Sequence, residues 1–378
     1  MENKTKREKD KKIFVVLTGG TICSEYNGRV KSQGKKAGTV LEENFRNSTS
    51  EYADKVRFIT TENYGIFSEN MSVEKWNYII KRLRSTAEVR DTAIARGNYP
   101  SLNEERVFSE ENIMDGIIIA HGTDTLAYSS ALFSLILRDI GVPVFLVSSN
   151  DALSSEKANG TANFIAATEC ICNGITPNVY VSYRNSDGNM YLHYASRLTQ
   201  CRNYEEDFFS VGMTKIEDAQ GKFFGKTSVC DKKANEDRID LFAEWELENI
   251  VLKIDPYVGL NYDFYDFTKV KAVLHGTYHS GTVCVEGSER RKKNENSIVS
   301  LFEKCKAPVY IAPCDLEGNV YDTIIKVAEN AGENVRFING YTSEMMYVKL
   351  LIAYSENAIK DVDGFLGNEY NKELINRG

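Results

Sequence analysis

The chain has 378 residues, 42% of them hydrophobic and 26% charged, enough to bury a large core and to make two domains. Its formal net charge of −8 argues against nonspecific nucleic-acid binding, and no apolar stretch is long enough to span a bilayer. A soluble globular protein is the expectation.

Residues 1–12, with Lys4, Lys6, Arg7, Lys9, Lys11 and Lys12, are almost wholly polar. They predict a disordered polar tail rather than a signal peptide, because so charged a run cannot offset its ordering entropy. With no export signal, the expected location is cytoplasmic.

Residues 13–225 read as an N-terminal α/β domain. Residues 13–17 are an apolar strand that breaks into Thr18-Gly19-Gly20-Thr21-Ile22. The Gly- and Lys-rich run 28–38 has no apolar periodicity and reads as a loop or lid. A short strand at 56–59 precedes Phe67-Ser68-Glu69-Asn70-Met71, where a polar trio interrupts an apolar context, and Ser72 opens an amphipathic helix to about Arg84. The insertion at 85–112 has too few apolar residues for a core and reads as an excursion. Residues 116–120, Gly-Ile-Ile-Ile-Ala, form a β-branched run that breaks into His121-Gly122-Thr123-Asp124-Thr125. Such a run is a buried parallel strand delivering polar side chains to its carboxyl edge. Helices at 126–139 and 161–171 alternate with strands at 142–147 and 179–183, and a turn at 186–189 leads to a strand at 190–194. This order implies right-handed crossovers and a parallel sheet with flanking helices.

The charge-rich run 226–248 reads as a linker. Residues 249–378 repeat the alternation, with strands at 250–254, 270–274, 309–312 and 335–338 and helices at 298–305, 321–330 and 343–354, and so predict a smaller C-terminal α/β domain.

The eight cysteines and four histidines are scattered. They show no metal-ligand spacing, and neither a metal nor a cofactor is expected. Thr21 follows two glycines, which permit tight turns and leave amides beside Gly20 open to a developing oxyanion. Its hydroxyl is a candidate nucleophile. Thr123 and Asp124, beside Gly122, end a neighbouring strand and can converge on it across the switch point of the sheet. In isolation each loop is equally a helix-capping βα turn.

Together, T-G-G-T-I and H-G-T-D-T resemble the two signature motifs of the L-asparaginase/glutaminase amidohydrolases. Phe67-Ser68-Glu69-Asn70-Met71 is similar to that family's substrate-binding loop, Asn159-Gly160-Thr161-Ala162-Asn163 to a later loop, and Thr342-Ser343-Glu344 to the start of the final helix. The resemblance implies a two-domain α/β fold in which Thr21 attacks the side-chain amide of L-asparagine, ammonia leaves, and water resolves the acyl-enzyme. It gives Thr123 and Asp124 the second half of the catalytic group, and Ser68 and Glu69 the two ends of the substrate. It also implies a homodimer or homotetramer.

One departure stands out. The family's lysine beside the threonine-aspartate pair falls on Gln200 in Ser196-Arg197-Leu198-Thr199-Gln200-Cys201. Glutamine does not titrate, so it cannot accept a proton. Arg202 would face the same way in an extended segment but stays protonated. Tyr26 is the nearest match to the loop tyrosine that some members use. The expectation is therefore weak turnover or a different amide, with a non-catalytic amino-acid-binding homologue as the alternative. A component of a tRNA-dependent amidotransferase is the third possibility; such components carry an extra N-terminal domain that a short polar tail does not supply. His275-Gly276-Thr277-Tyr278-His279, Tyr321 and Glu344 are expected to play ordinary loop, core or cap roles.

Overall fold

The computed structural model describes residues 10–27, 30–34, 36–97, 99–102, 107–224, 239–287, 295–317, 320–356 and 358–375. They fall into two compact units, Met1–Ala243 and Glu244–Gly378. Most of the charged run 226–248 lies outside the described residues, as do residues 1–9 of the tail.

In chain order the first unit contains β1 (Lys11–Leu17), β2 (Ser24–Asn27), β3 (Val30–Gln33), α1 (Ala37–Arg46), β4 (Val56–Thr60), α2 (Val73–Ser85), α3 (Ala87–Arg96), β5 (Gly116–Ala120), α4 (Leu126–Ile136), β6 (Val144–Val147), α5 (Gly160–Cys172), β7 (Val179–Arg184), β8 (Met190–Tyr194), β9 (Leu198–Thr199), β10 (Phe209–Ser210) and β11 (Thr214–Lys215). A seven-stranded sheet runs β11-β8-β7-β6-β5-β1-β4. Its pairings from β4 through β7 are parallel, whereas β8 and β11 add antiparallel. The β7–β8 hairpin accounts for the mixed edge.

From β1 the chain crosses to β4 on one side, and from β5 it crosses to β6 on the other. The carboxyl ends of β1 and β5 therefore diverge at a switch point, where open α/β sheets hold their ligands. Leu17 pairs with Ala120 in register, so both loops leave the sheet at one level.

Alternation along the strands divides the core. Ile13, Val15, Leu17, Ile118, Ala120, Phe145 and Val147 face Leu41 and Phe45 of α1 and Phe164 and Ala167 of α5. Gly116 is where Ile171 of α5 comes so close that a Cβ would lie 2.7 Å from its side chain.

Three sequence expectations change. Lys11 and Lys12 belong to β1, because Asp115 receives the Lys12 N–H at 3.0 Å and pairs with Lys11 at 3.4 Å. The expected lid at 28–38 contains β3, which pairs with the preceding β2 from Ser24–Gln33 to Asn27–Val30, and the start of α1. The excursion contains α3, which buries Val89, Asp91, Thr92 and Ala93. Asp91 is satisfied there by the Ser109 N–H at 3.1 Å and the Asn112 amide at 2.8 Å. Local polarity hid that helix because a buried carboxylate holds it in place.

The second unit contains β12 (Val251–Ile254), β13 (Ala272–His275), α6 (Ile298–Lys304), β14 (Val309–Ile311), α7 (Asp322–Glu329), β15 (Val335–Phe337), α8 (Ser343–Tyr354) and α9 (Val362–Gly367). Its four strands pair in sequence order and in parallel.

Candidate active site

Three loops meet at the carboxyl ends of β1 and β5. Thr18 donates its N–H to Ala120 O at 3.0 Å and its Oγ1 to the same carbonyl at 2.8 Å, tying the first loop to the second strand. Gly20 N–H donates to Ile66 O at 2.9 Å, which ties the first loop to residues 64–71. Gly20 has φ +78°, and a Cβ there would lie 2.2 Å from Gly122 Cα. Only glycine allows the two backbones to pass so closely. A Cβ on Gly122 would likewise lie 2.4 Å from Ser68 Oγ.

Thr21 opens a short 3-10 turn, Thr21–Cys23, directly after this crossing, and is partly exposed. The adjacent Cys23 thiol is buried and pushed up to about 12 by desolvation, so it stays protonated. Ser24 Oγ donates to Gly20 O at 2.9 Å and braces the turn.

Ser68 organises the facing side. Its Oγ donates to Asp124 Oδ2 at 3.0 Å and accepts the Asp124 N–H at 3.2 Å, while Thr125 Oγ1 donates to Ser68 O at 3.0 Å. Asp124 is exposed, Thr123 partly so, and Glu69 is exposed beside Ser68. The sequence marked Ser68, Thr123 and Asp124 separately, and the structure brings all three together. Thr125 was missed as a contributor; its place in the second motif was the available signal.

His121, the last residue before Gly122, is fully buried, and its Nδ1 lies 2.7 Å from Gly122 O. A carbonyl only accepts, so Nδ1 carries the proton. Desolvation lowers its pKa to about 4, and the ring is neutral at ordinary pH.

Gln200 follows β9. Its Nε2 donates to Thr123 O at 2.9 Å, and its Oε1 accepts the Ala127 N–H at 3.3 Å. Arg202 does not take the lysine's place. Its side chain is 84% exposed and pairs with Glu205 at 4.0 Å. Tyr26 lies in β2, and its side chain falls outside the described residues. Among the described residues, no group of three or more His, Cys, Asp or Glu side chains is placed to hold a metal ion.

His275 ends β13 as His121 ends β5. Its Nδ1 lies 2.6 Å from Gly276 O, and its Nε2 accepts from Tyr262 OH at 2.9 Å. The ring is a satisfied core group.

Residues 104–226 match the family model for the N-terminal domain of asparaginase. The thermostable L-asparaginase from Thermococcus kodakarensis superposes with a TM-score of 0.65 at 19% identity, covering 97% of this chain and 99% of that one. The chain has the asparaginase fold, and residues 104–226 within it match the family's N-terminal domain. L-asparaginase I from Vibrio cholerae gives a TM-score of 0.63 at 17% identity over the same shares of both chains, 97% and 99%. At those identities the likeness establishes the fold.

The asparaginase-family match covers His121 to Thr125 and Gln200 but not Thr21 or Ser68, which the fold supplies. Curated relatives include a glutamyl-tRNA(Gln) amidotransferase subunit of Thermofilum pendens, 22% identical over 306 residues. The same amidotransferase component of Methanosphaera stadtmanae is 24% identical over 357 residues. These alignments take in 78% and 92% of this chain but 61% and 72% of the relatives. Among the described residues, no helix is long and apolar enough to cross a membrane.

Proposed function

We propose that the chain is an amidohydrolase that acts slowly on the side-chain amide of L-asparagine, with Thr21 as nucleophile. The interlock of Gly20, Gly122 and Ser68 carries this reading, because it sets the Thr21 turn against the Thr123-Asp124 turn. Thr21 Oγ adds to the amide carbon, ammonia departs, and water then hydrolyses the threonyl ester to release aspartate. Gly20 N–H is donated to Ile66 O, so the amides of Gly122 and Thr123 are the oxyanion donors in this scheme. Asp124, steadied by Ser68, receives the substrate's amino group, and Glu69 lies at the same end. No titrating side chain occupies position 200, and a slow rate follows from the missing base.

Purified protein incubated with L-asparagine and L-glutamine should release ammonia, with asparagine preferred, and Thr21→Ala should abolish release. Failure of the wild-type chain to release ammonia from either amide would overturn the hydrolase reading. The hydrogen bonds of Gln200 favour a second reading, an amino-acid-binding homologue that does not hydrolyse; L-aspartate would then bind without any turnover. The relatives' shared name favours a role within an amidotransferase, and ammonia release by the isolated chain without tRNA separates simple hydrolysis from it. A homodimer or homotetramer belongs to the same proposal and is read by light scattering.

A further inference from the structure

We infer that Gln200 is a positioning residue: its carboxamide brackets the turn that presents Thr123 and Asp124, joining the Thr123 carbonyl to the first turn of α4. The inference rests on the amide-site reading above and assigns position 200 a task different from proton transfer.

The orientation of the carboxamide follows from its partners. Thr123 O can only accept and Ala127 N–H can only donate, so Nε2 must face the first at 2.9 Å and Oε1 the second at 3.3 Å. Ala127 belongs to the first turn of α4, whose opening N–H groups lack intrahelical acceptors. The N-cap residue Thr125 does not fill that role, since its hydroxyl donates to Ser68 O and makes no side-chain cap bond. Gln200 supplies an acceptor from another segment of the chain.

The bracket is two-sided. Ser68 holds Asp124 N–H, the Asp124 carboxylate and the Thr125 hydroxyl from one side. Gln200 holds Thr123 O and Ala127 N–H from the other, while the Leu126 N–H also reaches Thr123 O at 3.2 Å. Every residue from Thr123 to Ala127 is thereby tied down, across the turn at 123–125 and into the first residues of α4.

A lysine at this position keeps a donor for Thr123 O but has no acceptor for Ala127 N–H. It also sets a cation at a helix N-terminus, where the macrodipole disfavours positive charge. In this chain the substitution removes half of the bracket, so the titrating group it adds comes at the expense of the turn that presents Thr123 and Asp124.

The test compares wild type with Gln200→Met and Gln200→Lys, reading amide hydrogen exchange at Ala127, L-aspartate affinity, and kcat and KM for L-asparagine. Both variants should exchange Ala127 about tenfold or more faster, with Ile118 and Ile119 in β5 unchanged, the latter showing that the unit stays folded. Aspartate binding should weaken about tenfold with KM rising in parallel, and Gln200→Lys should not raise kcat. A purely structural role would lower the melting temperature and leave aspartate affinity per folded molecule unchanged. Wild-type exchange at Ala127 in Gln200→Met, or a higher kcat in Gln200→Lys, overturns the inference. Should wild type bind aspartate without releasing ammonia, the hydrolase reading fails while exchange and affinity still judge Gln200.

Discussion

At the scale of single residues, the site depends on side chains that are absent. Gly20 has no Cβ because Gly122 Cα occupies that space at 2.2 Å, and its φ of +78° lies where L side chains are strained. With ψ at −172° Gly20 lies in an essentially glycine-only region, so Gly20→Ala combines a backbone collision with about 1–3 kcal/mol of conformational cost. We expect a melting temperature lower by several degrees and loss of aspartate binding. Calorimetry with titration checks this, and a variant that binds aspartate like wild type would refute it. The two Thr motifs were legible in the sequence because glycine is the only residue that serves such turns. The Ser68–Asp124 pair was not, since it joins residues fifty-six positions apart and no local pattern encodes a partner.

At the scale of elements, α8 carries the least expected feature. Lys349 is fully buried, donating to Asn368 O at 2.8 Å and Tyr341 OH at 3.2 Å and pairing with Glu373 at 3.4 Å. Its ammonium lies 4.4 Å from the Tyr341 ring and 5.1 Å from that of Tyr370. Glu373 also accepts the Tyr370 N–H at 2.6 Å, so the pair ties α8 to the last described stretch of the chain. Glu373→Gln leaves the ammonium buried without its counter-charge and should cost about 3 kcal/mol in urea unfolding. Burial lowers the Lys349 pKa from 10.5 to about 8 against the opposing pull of Glu373. The unfolded state then binds more protons between those values, so wild-type stability should rise across pH 8 to 10.5 relative to Lys349→Met. Parallel curves for the two proteins would show that Lys349 does not titrate there. The periodicity of α8 was visible in the sequence. A lysine in its core was not, because the groups that make that burial tolerable, Asn368 O, Tyr341, Tyr370 and Glu373, all come from outside the helix.

At the scale of the whole molecule, each unit buries neutral histidine. Desolvation lowers His121 and His275 to about 4 and His193 to about 3, all from 6.5. Between the folded and unfolded values the unfolded chain binds the extra protons, so stability is lost as pH falls below about 6.5. Each histidine contributes up to about 1.4 kcal/mol per pH unit in that window. Urea midpoints at about pH 7, 5.5 and 4.5 should fall steadily, with a shallower fall for His275→Gln. A flat profile would mean that these rings are already accessible to protons in the folded state.

By itself the sequence determined the alternation of strands and helices, the two Thr-containing motifs and the substitution of Gln200, because apolar periodicity and glycine placement are local properties of the chain. Only the tertiary structure decided that β1 lies between β4 and β5, so that the two motifs share one sheet edge. It alone showed Ser68 and Gln200 holding the Thr123-Asp124 turn from opposite sides. Strand order and hydrogen-bond partners across long separations depend on which segments exclude water together, and that is settled when the sheet assembles.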